Sequence, residues 1–147
     1  MNTVRKMYEH LDWANRRILE ALETAEHLEG LRLFAHILQA EQVWVSRIVG
    51  RDTSQVSIWP EGDLSFCSAL MEKNKEDFQK LFDQLSDDQL KDTVSYVNSK
   101  GTAFKTRLDD ILIHVALHGQ YHRGQINTRL RASGLEPVNT DYIFYVR

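Results

Sequence analysis

Two prolines, Pro60 and Pro137, are all that could interrupt a chain in which apolar side chains recur every three or four positions over stretches of about 20 residues. A proline inside a helix removes a backbone donor and clashes with the preceding turn. Their scarcity permits long helices, and the spacing demands them. Residues 3–25 carry Val4, Met7, Tyr8, Leu11, Ile18, Leu19 and Leu22 on one stripe, with Thr3 as the expected N-cap. Residues 29–49 carry Leu33, Phe34, Ile37, Trp44 and Ile48 and are expected to end at Gly50. Ser65 is expected to cap a third helix of about 20 residues, with Phe66, Leu70, Asn74, Phe78, Leu81, Phe82 and Leu85 as its seam. The fourth covers residues 107–132 and stops at Gly134, before Pro137.

Two connections differ in composition. Residues 51–64 read as a loop punctuated by Trp59-Pro60 and Gly62. In residues 92–106, Val94, Tyr96, Thr102 and Phe104 flank an Asn-Ser-Lys-Gly turn, which predicts a short β-hairpin, with a continuous loop as the alternative. The tail, residues 138–147, is too apolar to float free and is expected to pack back. Four amphipathic helices in 147 residues predict an all-α four-helix bundle forming one domain, 1–147.

Composition narrows the function. A formal charge of −3 leaves no large basic patch, which argues against a nucleic-acid partner. No apolar run reaches the length of a membrane span, and no apolar block follows Arg5 and Lys6 as a secretory signal would require. A cytoplasmic location is therefore expected. The single cysteine, Cys67, can form neither an intramolecular disulfide nor a thiolate cluster, and no activating neighbour marks it as a nucleophile.

Chemistry concentrates on the fourth helix. His114, His118 and His122 stand at i, i+4, i+8, so the three imidazoles lie above one another on one face. Two imidazoles at that spacing can converge on one divalent ion. The apolar face set by Leu108, Ile111, Leu112, Val115, Ile126 and Leu130 puts His122 close to the interior and His118 on its flank. His114 is rotated further out, as a reserve ligand or a supporting residue. A third ligand must come from another helix, and His36, on the inward edge of the second, is the natural candidate. His10 and His27 lie on no convincing inward stripe. A histidine on an apolar face is more often a hydrogen-bonded core residue, so it is the combination that points to a metal. Three imidazoles leave a coordination position open, the catalytic rather than the structural pattern.

Other polar residues intrude on the apolar faces. Glu41 falls near the centre of its stripe, where a carboxylate must pair, bind a metal or hold a proton. Its plain role is an internal bond to Arg123, Asn15 or Tyr121. Its sharper role is catalytic, as a general base or as the residue that orients a ligand histidine. Gln125 lies beside His118 and His122 and could donate to a bound molecule, or serve as a polar core contact. Arg123 could hold an anionic substrate but more simply supports the helix. Asp12 and Asn15 are expected to be hydrogen-bonding partners. Trp44 and Trp59 could wall a pocket, with core packing the simpler role for Trp44.

The segments YEHLDWANRRILEAL, LFAHILQAEQVWVSRIVG (33–50), HVALHGQYHRGQINTRLRASGLEP (114–137) and TDYIFYV (140–146) resemble, in order and over nearly the whole chain, the DinB/YfiT-like family of metal-dependent enzymes. The resemblance implies an up-down-down-up bundle with long crossovers, usually dimeric. It also implies a three-histidine site, matching His36, His118 and His122, that holds zinc or nickel. Several relatives are thiol S-transferases using low-molecular-weight thiols such as bacillithiol, mycothiol or glutathione, and others are described as hydrolases. The expected function is thus Lewis-acid activation of a thiol or a water on a small-molecule substrate. A metal-binding stress-response protein without turnover is a second reading, and a structural bundle with empty histidines a third.

Overall fold

The computed structural model describes residues 1–147. Four long helices dominate it: α1 (Asn2–Thr24), α2 (Leu28–Ile48), α3 (Leu64–Gln84) and α4 (Leu108–Ala132). A single 3-10 turn (Asp88–Lys91) and an antiparallel hairpin, β1 (Thr93–Val97) with β2 (Ala103–Arg107), separate α3 from α4, and a one-turn helix α5 (Tyr142–Val146) ends the chain. No helix is long and apolar enough to cross a membrane.

Side-chain partners fix the helix directions. Arg5 reaches Asp83 while Arg16 reaches Glu72, so α1 and α3 run antiparallel. Asn74 bonds the Leu38 carbonyl while Arg51 pairs with Asp77, so α2 and α3 run parallel. Tyr8 donates to the Leu112 carbonyl and Arg123 to Asn15, so α1 and α4 run parallel. The order is up-down-down-up. In it α2 packs against α3 and α4, α1 packs against the same two, and α1 and α2 face each other across the diagonal. The parallel α2–α3 step requires the long crossover between them.

The apolar stripes make two core layers. One gathers Ile18, Leu22, Phe34, Ile37, Leu38, Leu70, Met71 and Ile126. The other gathers Tyr8, Leu11, Val45, Phe78, Phe82, Leu108, Ile111, Leu112 and Val115. Between them lies a polar layer. Asn15 Nδ2 donates to both oxygens of Glu41 at 3.0 and 3.1 Å, and Arg123 Nη1 donates to Asn15 Oδ1 at 2.7 Å. Arg123, only 1% exposed, also donates from Nε to Gln120 Oε1 at 3.2 Å. Gly119 makes room for it, because a Cβ there would stand 3.0 Å from Arg123 Nη1.

Three expectations are corrected. α1 begins at Asn2, so Thr3 is inside the helix rather than its cap. Asp63, not Ser65, caps α3, its carboxylate accepting from the Phe66 amide at 2.8 Å. Both misreadings come from choosing the nearest hydroxyl where the chain had turned one or two residues earlier. His10, expected to lie off any inward stripe, is 8% exposed and donates from Nε2 to the Thr140 carbonyl at 2.8 Å. The tail buries it: Tyr142 and Tyr145 pack on His10 and Trp13, and Tyr145 Oη donates to Glu9. The hairpin forms as predicted, with Asn98 Oδ1 accepting from the Lys100 and Thr102 amides and Gly101 at φ +83°.

Candidate metal centre

The antiparallel α2–α4 seam brings together the three histidines that the sequence singled out. His36, His118 and His122 each offer a ring nitrogen, and these atoms all lie within 4.8 Å of one another. The ring centroids stand 4.5 Å apart for His118 and His122, 4.7 Å for His36 and His122, and 5.1 Å for His36 and His118. His118 Nε2 and His122 Nε2 face each other at 3.1 Å. That is close to the roughly 3.3 Å between two ligands of a tetrahedral ion bound at about 2.0–2.1 Å.

In two of the three rings the other nitrogen is occupied, which sets the tautomer. His36 Nδ1 lies 2.5 Å from the Ile58 carbonyl, which can only accept, so Nδ1 carries the proton and Nε2 keeps its lone pair. His122 Nδ1 donates to Gln125 Oε1 at 2.7 Å, which likewise frees Nε2. Ligating histidines characteristically present one nitrogen and anchor the other in this way. Burial, opposed by the Ile58 carbonyl and reinforced by His122, holds the His36 imidazole below its ordinary value. Burial and then the neighbouring imidazoles push His118 down to about 4. Both rings are therefore neutral near pH 7, the form that binds metals. The donor set fits a divalent ion.

Aromatic side chains wall the cluster. Trp59, from the α2–α3 crossover, stacks on His36 with centroids 3.8 Å apart and planes 7° from parallel, and the Arg32 guanidinium lies over the Trp59 ring at 5.0 Å. Trp59 is 41% exposed, so this wall faces solvent. Tyr121 packs edge-on to His122. His114 stays outside the triad, exposed on α4, between Trp44 and His118. With all three histidines supplied by the α2–α4 seam, the site lies on one flank of the bundle.

The family follows from the same residues. The model of the DinB family matches residues 1–147. The chain belongs to the DinB family. Protein DinB of Bacillus subtilis (strain 168) is 29% identical over 162 aligned positions, covering 96% of this chain and 92% of its own length. A second relative in that organism, the uncharacterized protein YizA, is 28% identical over 108 positions, covering 74% and 67%. The motifs LFAHILQ and YHRGQI, which carry the resemblance to the DinB family, contain His36, His122 and Gln125.

The remaining residues divide clearly. Gln125 meets the cluster as an acceptor for the His122 ring. Both Glu41 oxygens are taken by Asn15, and its hydrogen bonds reach none of the three histidines. Burial pushes the Glu41 carboxyl up to about 8, against the opposing pull of Arg123 and Asn15, and brings Arg123 down to about 10. Tyr121 makes no bond to Glu41 and points outward, 65% exposed. Cys67 is buried at the start of α3, its thiol pushed up to about 11 by burial and by Asp63. Sequence reasoning missed the Ile58 carbonyl, which as a backbone atom leaves no residue signature. It also missed Arg32, whose partner comes from a loop.

Proposed function

We propose that this DinB-family chain is a metal-dependent protein in which His36, His118 and His122 hold a divalent ion, zinc or nickel, and act on a small-molecule substrate. The observation that carries the reading is the convergence of three imidazoles from two helices, their ring nitrogens within 4.8 Å of one another. Imidazole suits both metals. When bound, such an ion supplies Lewis acidity that brings the pKa of a thiol or water toward neutrality. Within the protein, Ile58 and Gln125 hold two of the rings by their far nitrogens, and Trp59 shields the cluster while leaving one side open to a substrate. Transfer of a low-molecular-weight thiol to an electrophile is the favoured reaction, with hydrolysis as the runner-up. Gln125 is a positioning residue acting through His122, and Glu41 belongs to the polar layer rather than to the reaction.

The test is turnover of zinc- or nickel-loaded protein with bacillithiol, mycothiol or glutathione and a generic electrophile. Acceleration with one thiol, lost on chelation and restored by metal, is expected. No acceleration with any thiol, together with hydrolysis of a model ester or amide, would replace transferase by hydrolase.

Gln125→Ala is expected to weaken metal affinity about 10–100-fold, the usual effect of losing a partner that orients a ligand. Gln125→Glu, which keeps an acceptor there, should restore most of it. Equal affinity in Gln125→Ala and the parent would remove Gln125 from the site.

We also assign a cytoplasmic homodimer. Ile113, Leu117 and Tyr121 form an exposed apolar stripe on α4, with Leu117 63% exposed. Light scattering should return twice the 17.1 kDa chain mass. A monomer at micromolar concentration would contradict it.

A further inference from the structure

We propose that the cavity between the C-terminal end of α2 and the β1 end of the hairpin binds an oxyanion, the carboxylate or phosphate group of a small molecule. The cavity has a volume of about 480 Å³ and is lined by Arg47, Arg51, Thr53, Ser95, Tyr96 and Ser99, among others. It is separate from the three histidines and does not depend on their holding a metal.

Arg47 is the central cation of this cavity. Its guanidinium lies over the Trp44 ring at 4.7 Å and over the Tyr96 ring at 5.5 Å, so two aromatic faces hold it in place. Its side-chain hydrogen bond runs from Nε to Thr53 Oγ1 at 3.4 Å, which leaves Nη1 and Nη2 without protein partners. No carboxylate pairs with it. An arginine fully in water needs no partner, but this one is half-buried, and burial holds its pKa below the ordinary value. A fixed, partly desolvated guanidinium with a free fork matches the two oxygens of a carboxylate or phosphate.

The surroundings add to the positive field. Arg51 Nη1 stands 3.6 Å from Asp77, a carboxylate already bound by Lys73 at 2.7 Å, so Arg51 is only partly compensated. Asp52 is the one acidic residue lining the cavity, and its Oδ1 accepts from the Ser54 amide at 2.9 Å. The hydroxyls of Thr53, Ser95 and Ser99 supply neutral donors. Tyr96 of the lining packs against Trp44, Trp44 against His114, and His114 against His118. From His36 to Arg47 is eleven residues of α2, roughly 16 Å at about 1.5 Å per residue.

The test is calorimetric titration of the metal-free full chain at constant ionic strength, with inorganic phosphate and succinate as separate probes. Saturable one-to-one binding of at least one probe is expected, with Arg47→Gln weakening it at least tenfold and Arg47→Lys weakening it less. The parent's preference identifies the source: tighter phosphate indicates a phosphorylated ligand, and tighter succinate a carboxylate. Arg51→Gln, which leaves the Arg47 packing intact, should weaken binding at least threefold and serves if Arg47→Gln fails to fold. Metal affinity should be the same in Arg51→Gln as in the parent. Absence of saturable binding with both probes, or binding unchanged in a folded Arg47 or Arg51 variant, would overturn the proposal.

Discussion

His118→Ala is expected to lower zinc or nickel affinity by more than a hundredfold while changing the stability of the metal-free protein little. His118 is partly exposed and accepts no backbone support, so the fold does not lean on it. Its Nε2 stands 3.1 Å from that of His122, and removing it leaves two imidazoles from different helices, short of what holds an ion. The loss should exceed the roughly 10–100-fold expected for a residue that only orients a ligand. His114→Ala, by contrast, should bind normally, because that ring lies outside the triad. Elemental analysis of both variants, followed by competition with a chelator, reads the result directly. Unchanged stoichiometry in His118→Ala would show that the ion sits elsewhere.

The second large effect is on folding. Glu41→Ala is expected to cost about 1–3 kcal/mol, the usual penalty for leaving a buried donor unpaired. It leaves the Asn15 amide without its acceptor and opens the hydrogen-bonded chain that runs from Glu41 through Asn15 to the buried Arg123 guanidinium. For a chain of this size that is a fall in Tm of roughly 3–10 °C. Adding Arg123→Met should recover much of the loss, since an apolar side chain needs no partner there. Thermal melts of the two single variants and the double variant complete the cycle. If the two losses simply add, Glu41 and Arg123 are not coupled and the polar layer is not a unit.

Much of this architecture was legible because helical periodicity is a strong signal over 20 residues. The four helices, the glycine-ended α2 and α4, the hairpin around Asn98–Gly101 and the returning tail all follow from local rules. The histidine triad was legible for a related reason: the i, i+4 pair fixes its own geometry, and the wheel position of His36 points it at α4. What escaped the sequence depends on contacts between distant segments. His10 reads as an exposed residue on α1 until the tail crosses it. Glu41 reads more readily as a bonded core residue than as a catalyst, and the Asn15 amide that holds both its oxygens comes from a different helix. Gln125 was found, but not its partner, because the choice between binding a substrate and bracing His122 depends on a side-chain rotamer.

The support of His36 by a connecting segment has an evolutionary implication. Its Nδ1 is fixed by the main chain at Ile58 and its ring by the indole at position 59, so this imidazole is aimed from outside its own helix. Connections between helices tolerate insertion and substitution far better than packed helices do. Lengthening or shortening the α2–α3 crossover would therefore tilt one arm of the tripod while every histidine stayed in place. Descendants of one ancestral bundle could diversify their chemistry in this way without altering a single ligand.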